Sequence, residues 1–181
     1  PYTTLFRSQQ AEYIRDGLNY SAWVMNMIKL MDSKRLRGLH VMCTINALCL
    51  DTLPKLLTVF MRWKHEYGQD FPNFTLNILR FPSFQSPLVL PDDMRTRHKE
   101  QLQAWLDTWT ADPMLQEHER NHVQRLIDYL DVVKTPHSDA FEMPKLHNDF
   151  KQFYRQYDQR RGKNFTQTFS NLAKWYDSIQ V

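Results

Sequence analysis

Residues 39–90 read LHVMCTINALCLDTLPKLLTVFMRWKHEYGQDFPNFTLNILRFPSFQSPLVL. The stretch opens with an apolar run, LHVMCTINAL, in which Val41, Thr44 and Ile45 favour a strand. The run is too continuous for a strand with one wet face, so it predicts burial on both sides. A helix follows, with Asp51 as its N-cap, Pro54 in its first turn and Gly68 just past its end. Leu53, Leu56, Leu57, Phe60, Met61 and Tyr67 give that helix one apolar stripe. FTLNILRF is a second strand. Strand, helix and strand at this spacing form a βαβ unit with parallel strands and a right-handed crossover.

Working outward, Asn19 to Lys34 reads as a helix with Tyr20, Trp23, Val24, Met27, Ile28 and Met31 on one side. Gln9–Asp16 is a short mixed stretch ending at Gly17. Pro82, Pro87 and Pro91 make 81–91 an ordered loop. Helices are expected from Asp92, from Asp112-Pro113 and from Pro144, the last broken at Gly162, with a short helix to close. Lys134–Ala140 reads as a loop. The predicted fold class is α/β. It is a partial (βα) barrel (one parallel βαβ unit) over residues 9–91 and a mostly helical C-terminal subdomain over 92–181.

The 181 residues carry a net charge of +3 and 13% aromatics, which suits a packed core and demands neither nucleic acid nor membrane. No window is long and apolar enough to span a bilayer, and no signal peptide is visible, so the expected location is cytoplasmic. Cys43 and Cys49, without secretory context, read as reduced core thiols. Residues 1–8, PYTTLFRS, resemble the translation of a DNA-sequencing adapter and read as a non-native segment. The chain begins on Pro rather than Met, which predicts a parent protein continuing upstream of Gln9.

Three segments, AEYIRDGLNYSAWVMNMI, TINALCLDTLPKLL and LNILRFPSFQSPLVLP with the tail YDQRRGKNFTQTFSNLAKWYDSI, resemble in their order the radical SAM superfamily. The resemblance is to the group from bacteria and their phages that carries a twitch subdomain after the barrel. Ser170 stands where that group commonly has Pro. The resemblance implies an enzyme that reductively cleaves S-adenosylmethionine at a [4Fe–4S] cluster to make a substrate radical, with a peptide or small-molecule substrate. It implies that Arg15 pairs with the carboxylate of S-adenosylmethionine and that Asn46 binds the same cofactor. The C-x3-C-x2-C cluster loop is absent, so the fragment alone is expected to be inactive.

Other readings stand beside these. Arg15 could instead pair with Glu12 or Asp16, and Asn46 could satisfy the turn into the next helix. Arg80, Ser83 and Gln85 follow the second strand and could face a substrate. His118-Glu119-Arg120-Asn121-His122 is an H-E-x-x-H, which on a helix puts two imidazoles on one face for zinc, with Glu119 as general base. Arg120 within the motif and the lack of a marked third ligand, with His137, Glu142 and His147 as candidates, count against zinc. Arg155, Arg160, Arg161 and Lys163, interleaved with Tyr154, Tyr157 and Phe165, could bind nucleic acid or close a helix end by cation–π packing. A non-catalytic helical interaction domain is the alternative from another class, and a zinc hydrolase is the third.

Overall fold

The two apolar runs pair in parallel. The computed structural model describes residues 8–132 and 143–180. In chain order the elements are α1 (Ser8–Ile14), α2 (Tyr20–Asp32), β1 (His40–Ile45), α3 (Leu53–Tyr67), β2 (Asn73–Ile78), α4 (Asp92–Trp109), α5 (Glu117–Leu130), α6 (Met143–Arg161), α7 (Phe165–Thr168) and α8 (Ser170–Ser178). Short 3-10 turns lie at Ser83–Gln85 and Pro87–Val89. The register sets His40 beside Asn73 and Ile45 beside Ile78. Among the described residues the sheet has these two strands, so the chain is a mostly helical α/β protein built on one βαβ unit.

The strand β1 is not buried on both faces. Its side chains alternate, with Ile45 buried and Met42 65% exposed. Continuous apolar sequence misleads here because a two-stranded sheet has one covered face. Phe60 of α3 meets Phe74 of β2 at 5.9 Å between ring centroids on the covered side. The other face carries His40, Met42 and Thr44 into solvent.

Several boundaries shift for local reasons. Residues 9–16, read as a mixed stretch, fall in the helix Ser8–Ile14 and the turn after it, which closes at Gly17 with φ +80. Asn19 caps α2, its Oδ1 accepting from Ala22 N–H at 2.8 Å. Asp51 does not cap α3. The N-cap is Thr52, because the preceding turn already feeds the helix: Leu53 N–H donates to Cys49 O at 3.0 Å. Gly68 closes α3 with φ +110, a region where a Cβ is strained. Asp92 is the first residue of α4 rather than its cap, and it pairs with Arg95 one turn on. Asp112-Pro113 makes a turn, Met114 N–H donating to Asp112 Oδ1 at 2.9 Å, and α5 starts only at Glu117. Residues 134–140, expected as a loop, lie outside the described residues.

One hydrophobic core runs through the whole described chain. It joins Tyr13 of α1, Phe60 and Trp63 of α3, Leu102 of α4, Val123 of α5, Phe150 of α6 and Trp175 of α8. Residues on both sides of position 91 share it. Phe150 and Phe165 meet edge-on at 5.7 Å, and Phe165 stacks on Tyr176 at 4.2 Å. Each such buried ring contributes roughly 1.5–3 kcal/mol of burial energy. No helix among the described residues is long and apolar enough to cross a membrane.

Candidate functional site

The first candidate is the carboxyl end of the sheet, where α/β folds place ligands. Asn46 follows β1 directly and is buried. Its Oδ1 accepts from Leu48 N–H at 3.0 Å and Cys49 N–H at 3.2 Å. The amide thus closes the turn into α3, and only Nδ2 lacks a partner among the described residues. Ala47 N–H donates to Gln85 O at 3.0 Å, which fastens the 3-10 segment after β2 over the strand ends. Ser86, Leu88, Val89 and Leu90 are buried there, and His147 Nε2 donates to Val89 O at 2.8 Å. Ser83 and Gln85 lie in this packed segment, while the exposed Arg80 holds its guanidinium 5.7 Å from the Tyr129 ring centre.

Arg15 is exposed just beyond α1. Neither nearby carboxylate holds it. Glu12 accepts from Tyr20 N–H at 2.9 Å, and Asp16 pairs with Arg161 at 2.7 Å and Lys163 at 2.9 Å. The hydrogen bond from Lys163 holds the Asp16 carboxyl below its usual range. No hydrogen bond joins Arg15 to Asn46 among the described residues.

Cys43 and Cys49 are the chain's two cysteines, and burial pushes their thiols up to about 12 and about 11. Cys49 Sγ donates to Asn46 O at 3.2 Å. Such thiols are poor thiolate ligands, and two cannot supply the three that a cluster of this family needs. The residues of this chain therefore do not fit a [4Fe–4S] cluster.

The H-E-x-x-H motif lies on α5 as expected, but its three side chains part company. Glu119 is fully buried. It pairs with the equally buried Lys64 at 2.9 Å, accepts from Phe74 N–H at 3.0 Å, and accepts from Gln116 N–H at 3.0 Å. A carboxylate so engaged is not placed to activate water. His118 is exposed. His122 Nδ1 accepts from Arg125 Nη2 at 2.9 Å. Burial, then Arg125, hold the His122 ring below its usual value. Among the described residues no group of three His, Cys, Asp or Glu side chains could hold a metal ion. Of the third ligands considered, His137 and Glu142 lie outside those residues, and His147 serves Val89.

The basic-aromatic segment closes a helix end. Lys163 Nζ donates to Glu12 O at 2.7 Å and lies 5.4 Å from the Tyr157 ring and 5.7 Å from Tyr13. Phe153, Gln156, Tyr157, Arg160 and Arg161 line a shallow groove beside it.

The remaining feature is the pair of sheet edges. Asn73 N–H donates to Leu39 O and Leu79 N–H to Ile45 O, so alternate groups face the partner strand. On β2 two of the outward groups are taken by α5: Glu119 accepts from Phe74 N–H, and Arg125 Nη2 donates to Leu76 O at 2.5 Å. On β1 the outward residues are His40, Met42 and Thr44. Their backbone N–H groups have no partner among the described residues, and Thr44 O has only the Cys49 thiol at 3.9 Å. A sheet edge left this way is a template for another strand.

Sequence reasoning did not single out Lys64, whereas the strand at 39–45 reads from the sequence as one that needs a neighbour on its other side and leaves an edge open without it. Lys64 sits in the stripe of Leu57, Phe60 and Met61, and a cation inside an apolar stripe signals a buried partner. No family model matches the chain, and no curated protein or solved structure matches it.

Proposed function

We propose that this chain is the carboxy-terminal part of a radical SAM-type enzyme. It supplies the last two strands of a partial (βα) barrel and a helical cover, and has no catalytic activity alone. The observation that carries the reading is the asymmetry of the sheet: β2 is sealed by Glu119 and Arg125, whereas β1 is bare along His40, Met42 and Thr44. An open barrel ends at its final strand, and the strand before it needs a neighbour from earlier in the chain. The wet face of β1 and β2 would then turn into the barrel. Within this reading, S-adenosylmethionine would meet the exposed Arg15 through its carboxylate and the Nδ2 of Asn46. The cluster, and with it the chemistry of cleavage, belongs to the upstream part.

The test is the reading frame upstream of Gln9. A C-x3-C-x2-C loop there, with iron bound and 5′-deoxyadenosine formed by the extended protein after anaerobic reconstitution, supports the proposal. An extended protein without the loop overturns it. One observation favours a second reading, a non-catalytic helical interaction domain. The single core from Tyr13 to Ile179 crosses position 91, so the described residues on both sides of it bury their apolar surface as one unit. A soluble, monomeric, cooperatively melting chain with no cluster loop upstream would put this reading first.

A further inference from the structure

The bare edge of β1 has a chemical character of its own. Lys34, Arg35 and Arg37 stand between α2 and β1, within six residues of His40, and all are exposed. None of the three side chains has a hydrogen-bond or ion-pair partner among the described residues. The nearby carboxylates are engaged elsewhere: Asp32 accepts from Tyr67 OH at 3.0 Å, and Asp70 accepts from Asn73 and Gln116 at 3.1 and 3.0 Å. Seven large apolar side chains are exposed among the described residues, and four of them, Met25, Leu30, Leu36 and Met42, fall within residues 25–42. Apolar exposure is therefore concentrated on the segment that leads into the free edge and on the edge itself.

These features select the occupant. A second copy of the chain adding edge to edge in parallel would bring Lys34, Arg35 and Arg37 toward their own counterparts, and one adding antiparallel would set them beside residues 44–50, which carry no carboxylate. Lysines beside an edge are a device against such pairing. We infer that the edge of β1 receives an extended segment with apolar residues at alternate positions and a cluster of acidic residues at its amino end. The backbone of that segment meets the outward groups of His40, Met42 and Thr44, its apolar side chains meet Met42 and Leu36, and its carboxylates meet the three cations. The parallel direction, which puts the acidic end beside the cations at the start of β1, rests on the barrel reading above. The acidic character rests on this structure alone.

The experiment uses the chain as it exists and a fluorescein-labelled peptide of alternating valine and threonine with glutamates at its amino end. Anisotropy should show binding about tenfold tighter than for the same peptide with lysines in place of the glutamates, and weakening with salt. The variant K34E/R35E/R37E should reverse that preference. Met42→Pro should abolish binding, because its N–H points away from β2 and a proline there leaves the ladder intact. Circular dichroism and melting confirm that each variant is folded, and the charge variant stands alone should Met42→Pro unfold. Deleting residues 1–8 should leave binding unchanged. Equal binding of both peptides overturns the inference, as does no binding to the folded chain. Concentration-dependent dimers abolished by Met42→Pro overturn it in favour of a second copy. The barrel reading fails or stands separately, on the upstream cluster loop. A peptide preference without that loop keeps the inference and sinks the reading, and a loop without the preference does the reverse.

Discussion

Lys64 Nζ and Glu119 Oε1 lie 2.9 Å apart with both side chains fully buried. They join α3 to α5 across the end of the sheet. Lys64 also donates to Gln69 O at 2.6 Å and Asn73 Oδ1 at 3.2 Å, so its ammonium is fully used. A buried pair of this kind is costly to break because the surviving charge has no other partner, about 3–5 kcal/mol. Glu119→Ala should therefore lower the melting temperature by about 6–20 °C. The double variant Lys64→Met with Glu119→Leu should recover part of the loss. Calorimetry decides, and a Glu119→Ala protein that melts within a degree of the parent would show that the pair is not a keystone. His118→Ala, at an exposed position on the same helix, should leave melting unchanged.

Acid should loosen the molecule in the histidine range. Burial, first of all, holds the rings of His98 and His122 below their usual value. The folded state therefore binds these protons less readily than the unfolded chain. Their contribution is complete above the unfolded value of about 6.5 and is lost as pH falls below it and through the lower folded values. Protonated His122 also loses the bond from Arg125. Melting temperature should fall as pH drops below about 6.5, and His98→Gln with His122→Gln should flatten that slope. An unchanged slope in the double variant would refute the assignment.

Lys163 and Arg160 separate structure from binding. Lys163 ties α1 to the end of α6 through Glu12 O, Asp16 and two rings, whereas Arg160 is exposed. Lys163→Met should cost about 1–3 kcal/mol in urea unfolding, and Arg160→Ala within about 0.5 kcal/mol. Comparable losses in both would mean that the groove beside α6 has a structural role not visible in its contacts.

Asn46 should tolerate exchange of its amide more than its removal. Asn46→Ala strands the N–H groups of Leu48 and Cys49 and should cost about 1–3 kcal/mol. Asn46→Asp keeps an acceptor for both and should stay within about 1 kcal/mol at neutral pH. The reverse order of stabilities would move the function of Asn46 from its Oδ1 to its Nδ2.

The βαβ unit was legible because its signals are local. Val41, Thr44 and Ile45 favour extended backbone, the stripe from Leu53 to Tyr67 has helical period, and Pro54 and Gly68 mark where α3 begins and ends. The helices from Asn19 and Pro144 followed from the same kind of pattern. Asn46 was legible as a turn residue for the same reason, since an Asx side chain bonds backbone two or three residues away. The start of α5 was misplaced because Asp112-Pro113 satisfies a turn of its own, and Gln116 with Glu119 is the stronger start.

The sequence by itself determined which segments are helix and strand and that the two strands run parallel, because periodicity and connection length act within a few turns of chain. Only the tertiary structure decided which polar groups are buried and that α5 covers the edge of β2. Glu119 and Lys64 are 55 positions apart, and nothing local to either says that one will neutralise the other. Met42 is apolar in an apolar run, yet it faces solvent because among the described residues the sheet has two strands and α3 covers one face. Burial is a property of what packs on a residue from elsewhere in the chain, and side-chain pattern records only the face it shares with its neighbours.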